Sequence, residues 1–259
     1  MARTLGKRYR KATKAIDAYA RAAKKARAAQ APRYRKVDCL KNIQTGGLLG
    51  VEKKYYDTGR ASPQPLTAPT DCSGGVIAPT GNLEMTSPTQ GNSALTREGN
   101  KIEVLSVNVS GYVECPKQAN QTAADNATIV SVYLVQDTQT NAAVCTSQQI
   151  FTNPGAISTL AHAPFRNLIY TKRFKVLAKK TFTFAPPTLS WDGTNVEQSG
   201  MMKPFNFFKK LNMPVNYVGG TGAGGIADVI DNSLHVVAFA NNLDLAPQIA
   251  WNARIRFTG

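Results

Sequence analysis

From Ile249 to Phe257 the chain alternates without a fault. Ile249, Trp251, Ala253, Ile255 and Phe257 share one parity, and Asn252, Arg254 and Arg256 hold the other. A period of two sends successive side chains to opposite faces of a strand, so this segment suits a sheet with one buried and one solvated face. Nothing after residue 45 supplies a long helical period; short apolar runs alternate instead with loops rich in Gly, Pro, Asn, Ser and Thr. The expected fold class is all-β.

Eight candidate strands follow from this pattern. Val51–Asp57 is the first, and the stretch Thr58–Gly81 after it reads as a long loop, because Pro63, Pro65, Pro69 and Pro79 forbid a central strand. Asn82–Thr86 is a weak second strand. Lys101–Glu114 is a strong third, whose apolar parity slips between Ile102/Val104 and Leu105/Val107/Val109, which requires a β-bulge or bend there. Ala127–Val135 is apolar throughout, as expected of a central strand covered on both faces. A low-signal connection with a short helix at Ile157–Ala163 leads to Phe174–Phe184, where Phe174, Val176, Ala178, Phe182 and Phe184 share one parity, with Lys180 interrupting. Next comes Phe205–Val218, where Pro214 indicates an edge or bulge, and then Leu234–Ala240 and the final Ile249–Phe257. Eight strands joined by unequal, often long loops predict an eight-stranded two-sheet sandwich of jelly-roll type rather than an up-and-down barrel. No internal repeat is present, and no stretch approaches the ~18 apolar residues of a membrane span.

Charge divides the chain differently. Residues 1–41 hold fourteen of its 31 Lys and Arg residues against only Asp17 and Asp38, a net +12, so the rest is nearly neutral at +3. The expected division is a basic arm, 1–45, and a globular body, 46–259. The arm's cations are Arg3, Lys7, Arg8, Arg10, Lys11, Lys14, Arg21, Lys24, Lys25, Arg27, Arg33, Arg35, Lys36 and Lys41, set among helix-forming Ala. Tyr9, Ala12, Ile16, Tyr19, Ala23 and Ala26 make a thin apolar stripe, too small to bury a core. Such an arm is expected to be disordered alone and helical once phosphates relieve its repulsion, binding nucleic acid through the backbone without reading bases. A solvated extension and a mitochondrial transit peptide are the competing readings, and Lys7–Lys14 or Lys24–Arg27 can embed a nuclear-import signal. Arg254 and Arg256, on one face of the last strand, join the nucleic-acid-binding set; an ordinary solvated face or a salt bridge competes there, as it does for Lys209 and Lys210.

Chemistry beyond binding finds little in the residues. His162 and His235 are single and flanked by apolar residues, so no triad or metal cage can be nominated from them. Cys39, Cys72, Cys115 and Cys145 show no CxxC pair and read as free thiols. Gly219–Gly225 lacks the Gly-Lys-Ser/Thr ending of a phosphate loop, and Asp228, Asp231 and Asp244 match no calcium-loop spacing. We therefore expect no catalytic residue, metal ligand or cofactor, and no enzyme.

Several segments in order resemble the capsid proteins of circular, Rep-encoding single-stranded DNA viruses, the circovirus-like group. They are Gly46–Asp57 after the basic arm, Thr96–Ile102 with its Arg-x-Gly-x-x-Ile, Leu134–Asn141, Arg166-Asn167-Leu168 followed by Arg173–Leu177, and Asn232–His235. The resemblance runs from about residue 43 onward. It implies a viral single jelly roll with strands B to I and a small icosahedral shell, T=1, around circular single-stranded DNA. The chain would be a homo-oligomer of about sixty copies presenting roughly 700 arm charges to the genome. It would reside in the virion, and in the host nucleus during assembly through nuclear import receptors, without membrane insertion. A satellite RNA virus capsid protein and a cellular basic-tailed β-domain that binds nucleic acid without a shell are the alternatives.

Overall fold

The computed structural model describes residues 52–66, 76–80, 84–115, 128–152, 163–184, 201–219, 222–241 and 246–259, and the backbone of 189–191 and 196–198. All belong to one compact unit, Val51–Gly259. The strands are β1 (Lys54–Pro65), β2 (Val76–Ile77), β3 (Lys101–Cys115), β4 (Thr128–Asp137), β5 (Phe151–Thr152) and β6 (Phe165–Arg166). They continue with β7 (Phe174–Phe184), β8 (Leu189–Trp191), β9 (Val196–Gln198), β10 (Met201–Asn216), β11 (Ser233–Ala240) and β12 (Gln248–Thr258), and α1 (Ser147–Ile150) is a single helical turn. Eight of these strands form two antiparallel four-stranded sheets, ordered β1-β12-β3-β10 and β2-β11-β4-β7. The other four form two small ribbons, β5-β6 and β8-β9. Pairing within the two sheets is nested: the outermost strands in sequence, β1 and β12, pair, and so do β2 with β11, β3 with β10 and β4 with β7.

The sheets are held together by what alternation turns inward. Val104, Val107, Val109 and Val113 of β3 and Ile249, Trp251, Ala253, Ile255 and Phe257 of β12 pack in one buried cluster with Val130, Val132 and Leu134 of β4 and Leu234, Val236 and Ala238 of β11. The result is a β-sandwich. Its β7/β10 side is latched by two lysines, Lys180 donating to Pro204 O at 3.3 Å and Lys203 donating to Thr183 O. A second apolar layer covers the outer face of the β2-β11-β4-β7 sheet, where Tyr133, Val135, Val237 and Phe239 meet Cys145, Ile150 and Phe151. This explains why β4 and β11 are buried on both parities.

Irregularities fall where the pattern breaks. Ser106 pairs with Arg256 and Val104 with Phe257, so Leu105 is the extra residue of a β-bulge and restores Ile102, Val104, Val107 and Val109 to one face. Pro214 follows a register break between Lys210 and Met213 on the edge strand β10, where a missing N–H costs no ladder bond.

Three expectations are corrected. β1 runs to Pro65 rather than ending at Asp57. It is an edge strand, and Pro63 sits within the register break between Arg60 and Gln64, where proline is tolerated. No strand forms over the described residues 84–86; the strand that flanks β11 opposite β4 is β2, inside the stretch read as loop. Phe174, Val176, Ala178, Phe182 and Phe184 share a parity but not a face, because Leu177 is an extra residue between the pairs Val176↔Val135 and Ala178↔Leu134. Phe174 and Val176 therefore join the outer cluster and the other three the core. The helix expected at Ile157–Ala163 lies outside the described residues except for Ala163, which is not helical.

Candidate nucleic-acid interface

The outward face of the β1-β12-β3-β10 sheet is polar. β12 lies between β1 and β3, so its outward side chains stand in mid-sheet, and register sets their neighbours. Arg256 has Tyr55 on one side and Ser106 on the other, with Lys210 beyond. One rung on, Arg254 stands between Asp57 and Asn108, with Phe208 beyond, and the next rung is Gly59, Asn252, Ser110 and Asn206.

The two arginines differ in what they have left to offer. Arg254 donates Nε and a terminal nitrogen to the two oxygens of Asp57, each at 2.6 Å, and its guanidinium lies 5.0 Å from the centre of the Tyr55 ring. The bond to Asp57 raises its pKa further, and its charge is matched on the spot. Arg256 is exposed and has no ion-pair partner among the described residues; with Lys210 it gives this rung a net positive charge. Beside the rungs lies a shallow concavity of about 480 Å³, bounded by Asp57, Thr58, Asn108, Ser110, Asn252 and Arg254. The buried Asn108 Oδ1 has no hydrogen-bond partner. Tyr55 and Phe208 remain exposed at 40% and 58%. Cations for phosphates and flat rings for bases are the components of a single-strand binding surface.

Arg254 and Arg256 are thus brought onto one exposed face, Arg254 as a salt bridge. Lys210 shares the Arg256 rung, and Lys209 does not. The arm residues from Arg3 to Lys41 lie outside the described residues. Sequence reasoning missed Tyr55, Asp57, Ser106 and Asn108, whose outward parity was readable but whose register against β12 was not. The glycine-rich segment shows no phosphate-loop context: Gly225 leads into the three-residue 3-10 turn Ile226–Asp228. Asp228 accepts from Gly224 N, and Asp231 accepts from the backbone and side-chain nitrogens of Asn216. Asp244 lies outside the described residues.

The motif residues from the sequence make structural bonds. Arg97, fully buried, donates to Gly99 O and stacks 4.3 Å over the Tyr217 ring, and Gly99 takes a φ of 121° that favours glycine. Asn232 turns the chain into β11 at a φ of 58° and donates to Pro214 O.

No family model matches the chain, and no curated protein matches it significantly. Among solved structures, that of infectious bursal disease virus Gt strain is 11% identical, with a TM-score of 0.16 over 80% of this chain and 42% of that one. The VP2 subviral particle of the same virus is 11% identical, with a TM-score of 0.17 over 80% and 41%. The chain spans less than half the length of these viral particle proteins, and at such scores the likeness carries no argument about role.

Proposed function

We propose that this chain is a capsid protein: a jelly-roll body that assembles with copies of itself into a small icosahedral shell, and a basic arm that neutralises single-stranded DNA inside it. The observation that carries the reading is the nested strand pairing. A hairpin of eight strands rolled up on itself pairs first with last, second with seventh, third with sixth and fourth with fifth, and this is the path of a jelly roll. Lectins and cupins share that winding. The +12 arm attached to a +3 body and the ordered resemblance to circovirus-like capsid proteins favour the shell over them.

The mechanism divides labour. Closed symmetry multiplies one modest contact surface into a particle. Each arm brings repulsion that opposes assembly until polyanion removes it, so packaging and assembly become linked. The full-length protein is expected to form uniform particles in electron microscopy and to retain nuclease-protected single-stranded DNA. Removal of residues 1–41 abolishes that retention and leaves the body folded by circular dichroism. A monodisperse monomer under all conditions rejects the shell. Protected RNA moves the chain to the satellite RNA virus reading.

A further inference from the structure

Three segments singled out in the sequence, Leu134–Asn141, Arg173–Leu177 and Asn232–His235, converge beside the second apolar cluster. The register brings Ser233 and Phe174 opposite Asp137, with His235 opposite Val135. Asp137, fully buried, accepts from Arg173 Nε and a terminal nitrogen at 2.8 Å each and from Gln139 N at 3.0 Å. His235 is buried; its Nε2 lies 2.8 Å from Ser233 Oγ, which accepts from Thr140 Oγ1 at 2.9 Å. Cys145 completes the group with a buried thiol, and Asp137, Cys145 and His235 each place a ligand atom within 4.8 Å of the other two. Glu84 reaches in from the β2–β3 connection. It is 4% exposed, its Oε1 has no hydrogen-bond partner, and that atom lies 3.7 Å from His235 Nδ1.

We propose that Asp137, Cys145 and His235, with Glu84 as the fourth donor, bind one zinc ion. A thiolate, an imidazole and carboxylates form a donor set that zinc takes in tetrahedral geometry. The Glu84–His235 separation of 3.7 Å is too long for a hydrogen bond. It is about the edge of a tetrahedron of ligands held at roughly 2.0–2.3 Å from zinc. Asp137, Cys145 and His235, whose ligand atoms lie within 4.8 Å of one another, need to draw together by only about 1 Å to reach the same edge. The surroundings supply the second layer of bonds that zinc sites use: Ser233 on the outer ring nitrogen of His235, and Arg173 and Gln139 N on Asp137.

Burial lowers the His235 pKa to about 4, raises the Glu84 pKa to about 8 and pushes the Cys145 thiol well up. Zinc binds a thiolate and carboxylates rather than their acids, so its uptake releases protons. The ion would pin the β2–β3 connection and the loop at Cys145 to the ends of β4 and β11, independently of whether the chain forms a shell.

The test is zinc and cobalt binding to the full-length chain stripped of metal. We expect tight zinc uptake against a chromophoric chelator, and a cobalt form with a thiolate-to-metal charge-transfer band. Cys145→Ser loses the band and this site's ion, whereas Cys115→Ser and the double change Cys39→Ser, Cys72→Ser keep both. Glu84→Gln, nearly isosteric, weakens zinc binding by about 10-fold or more and serves if Cys145→Ser does not fold. Absence of uptake by the wild-type chain, or uptake and cobalt spectrum unchanged in Cys145→Ser, overturns the proposal, as does unchanged affinity in Glu84→Gln.

Discussion

Two glycines clamp the strand that carries Trp251. Gly111 of β3 stands opposite Trp251, where an added Cβ would lie 2.2 Å from Ala250 O and 2.8 Å from the Trp251 Cα and Cβ. On the other side a Cβ on Gly59 of β1 would lie 2.6 Å from both Trp251 O and Asn252 Oδ1. Neither backbone can retreat without breaking a ladder, so Gly111→Ala is expected to cost about 1–3 kcal/mol, seen as a lower midpoint in denaturant unfolding. Burial likewise separates two arginines of similar geometry. Arg173 on Asp137 and Arg254 on Asp57 both make paired bonds to a carboxylate, yet the Asp137 side chain is 0% exposed and that of Asp57 is 48% exposed. Arg173→Ala leaves a carboxylate buried without its cation and is expected to cost about 3–5 kcal/mol. Arg254→Ala leaves Asp57 hydrated, and its unfolding midpoint should stay close to that of the wild type. Equal losses in the two variants would contradict the argument from burial.

At the scale of elements, the 3-10 turn Leu168–Tyr170 presents its apolar side chains to solvent. Leu168 and Ile169 are 81% and 83% exposed, and Phe165 on β6 is 66% exposed, though none contributes to either apolar cluster. In a shell of like copies such side chains belong in subunit contacts. Replacing Leu168 and Ile169 together with Asp is expected to abolish particles in electron microscopy with little change in the unfolding midpoint. Particles at normal yield would place the contact elsewhere. Strand patterns were legible where one face is wet: β12 reads directly, and the parity slip at Leu105 announces its own bulge. They misled at β7, where an apolar residue suits either the core or the outer cluster and Leu177 inserts unseen between Val176 and Ala178. The candidate face was half legible for a related reason. The exposure of Arg254 and Arg256 follows from alternation, but the Asp57 partner lies 197 residues away and needs the β1–β12 register. Nor did any local spacing announce Glu84, Asp137, Cys145 and His235, since each comes from a separate segment.

The whole molecule couples a nearly neutral body to a strongly cationic arm, and on the proposed role the salt dependence of nucleic-acid binding distinguishes an arm that carries it from a body that does. Each phosphate neutralised on a single strand steepens the slope of log affinity against log salt by about 0.7. An arm of net +12 that engages fully therefore predicts a slope of about −8. Because phosphate contacts do not read bases, the slope should be the same for oligothymidine and for a mixed sequence of equal length. Deletion of residues 1–41 should leave a slope near zero if the arm does all the binding. If the exposed sheet takes part, the deleted chain keeps a slope of about −1 to −2, which Arg256→Ala with Lys210→Ala removes. Tyr55→Ala then weakens binding at every salt concentration, since stacking releases no counterions. A slope near −8 that survives the deletion would contradict the assignment of genome binding to the arm, because the remaining residues carry only +3.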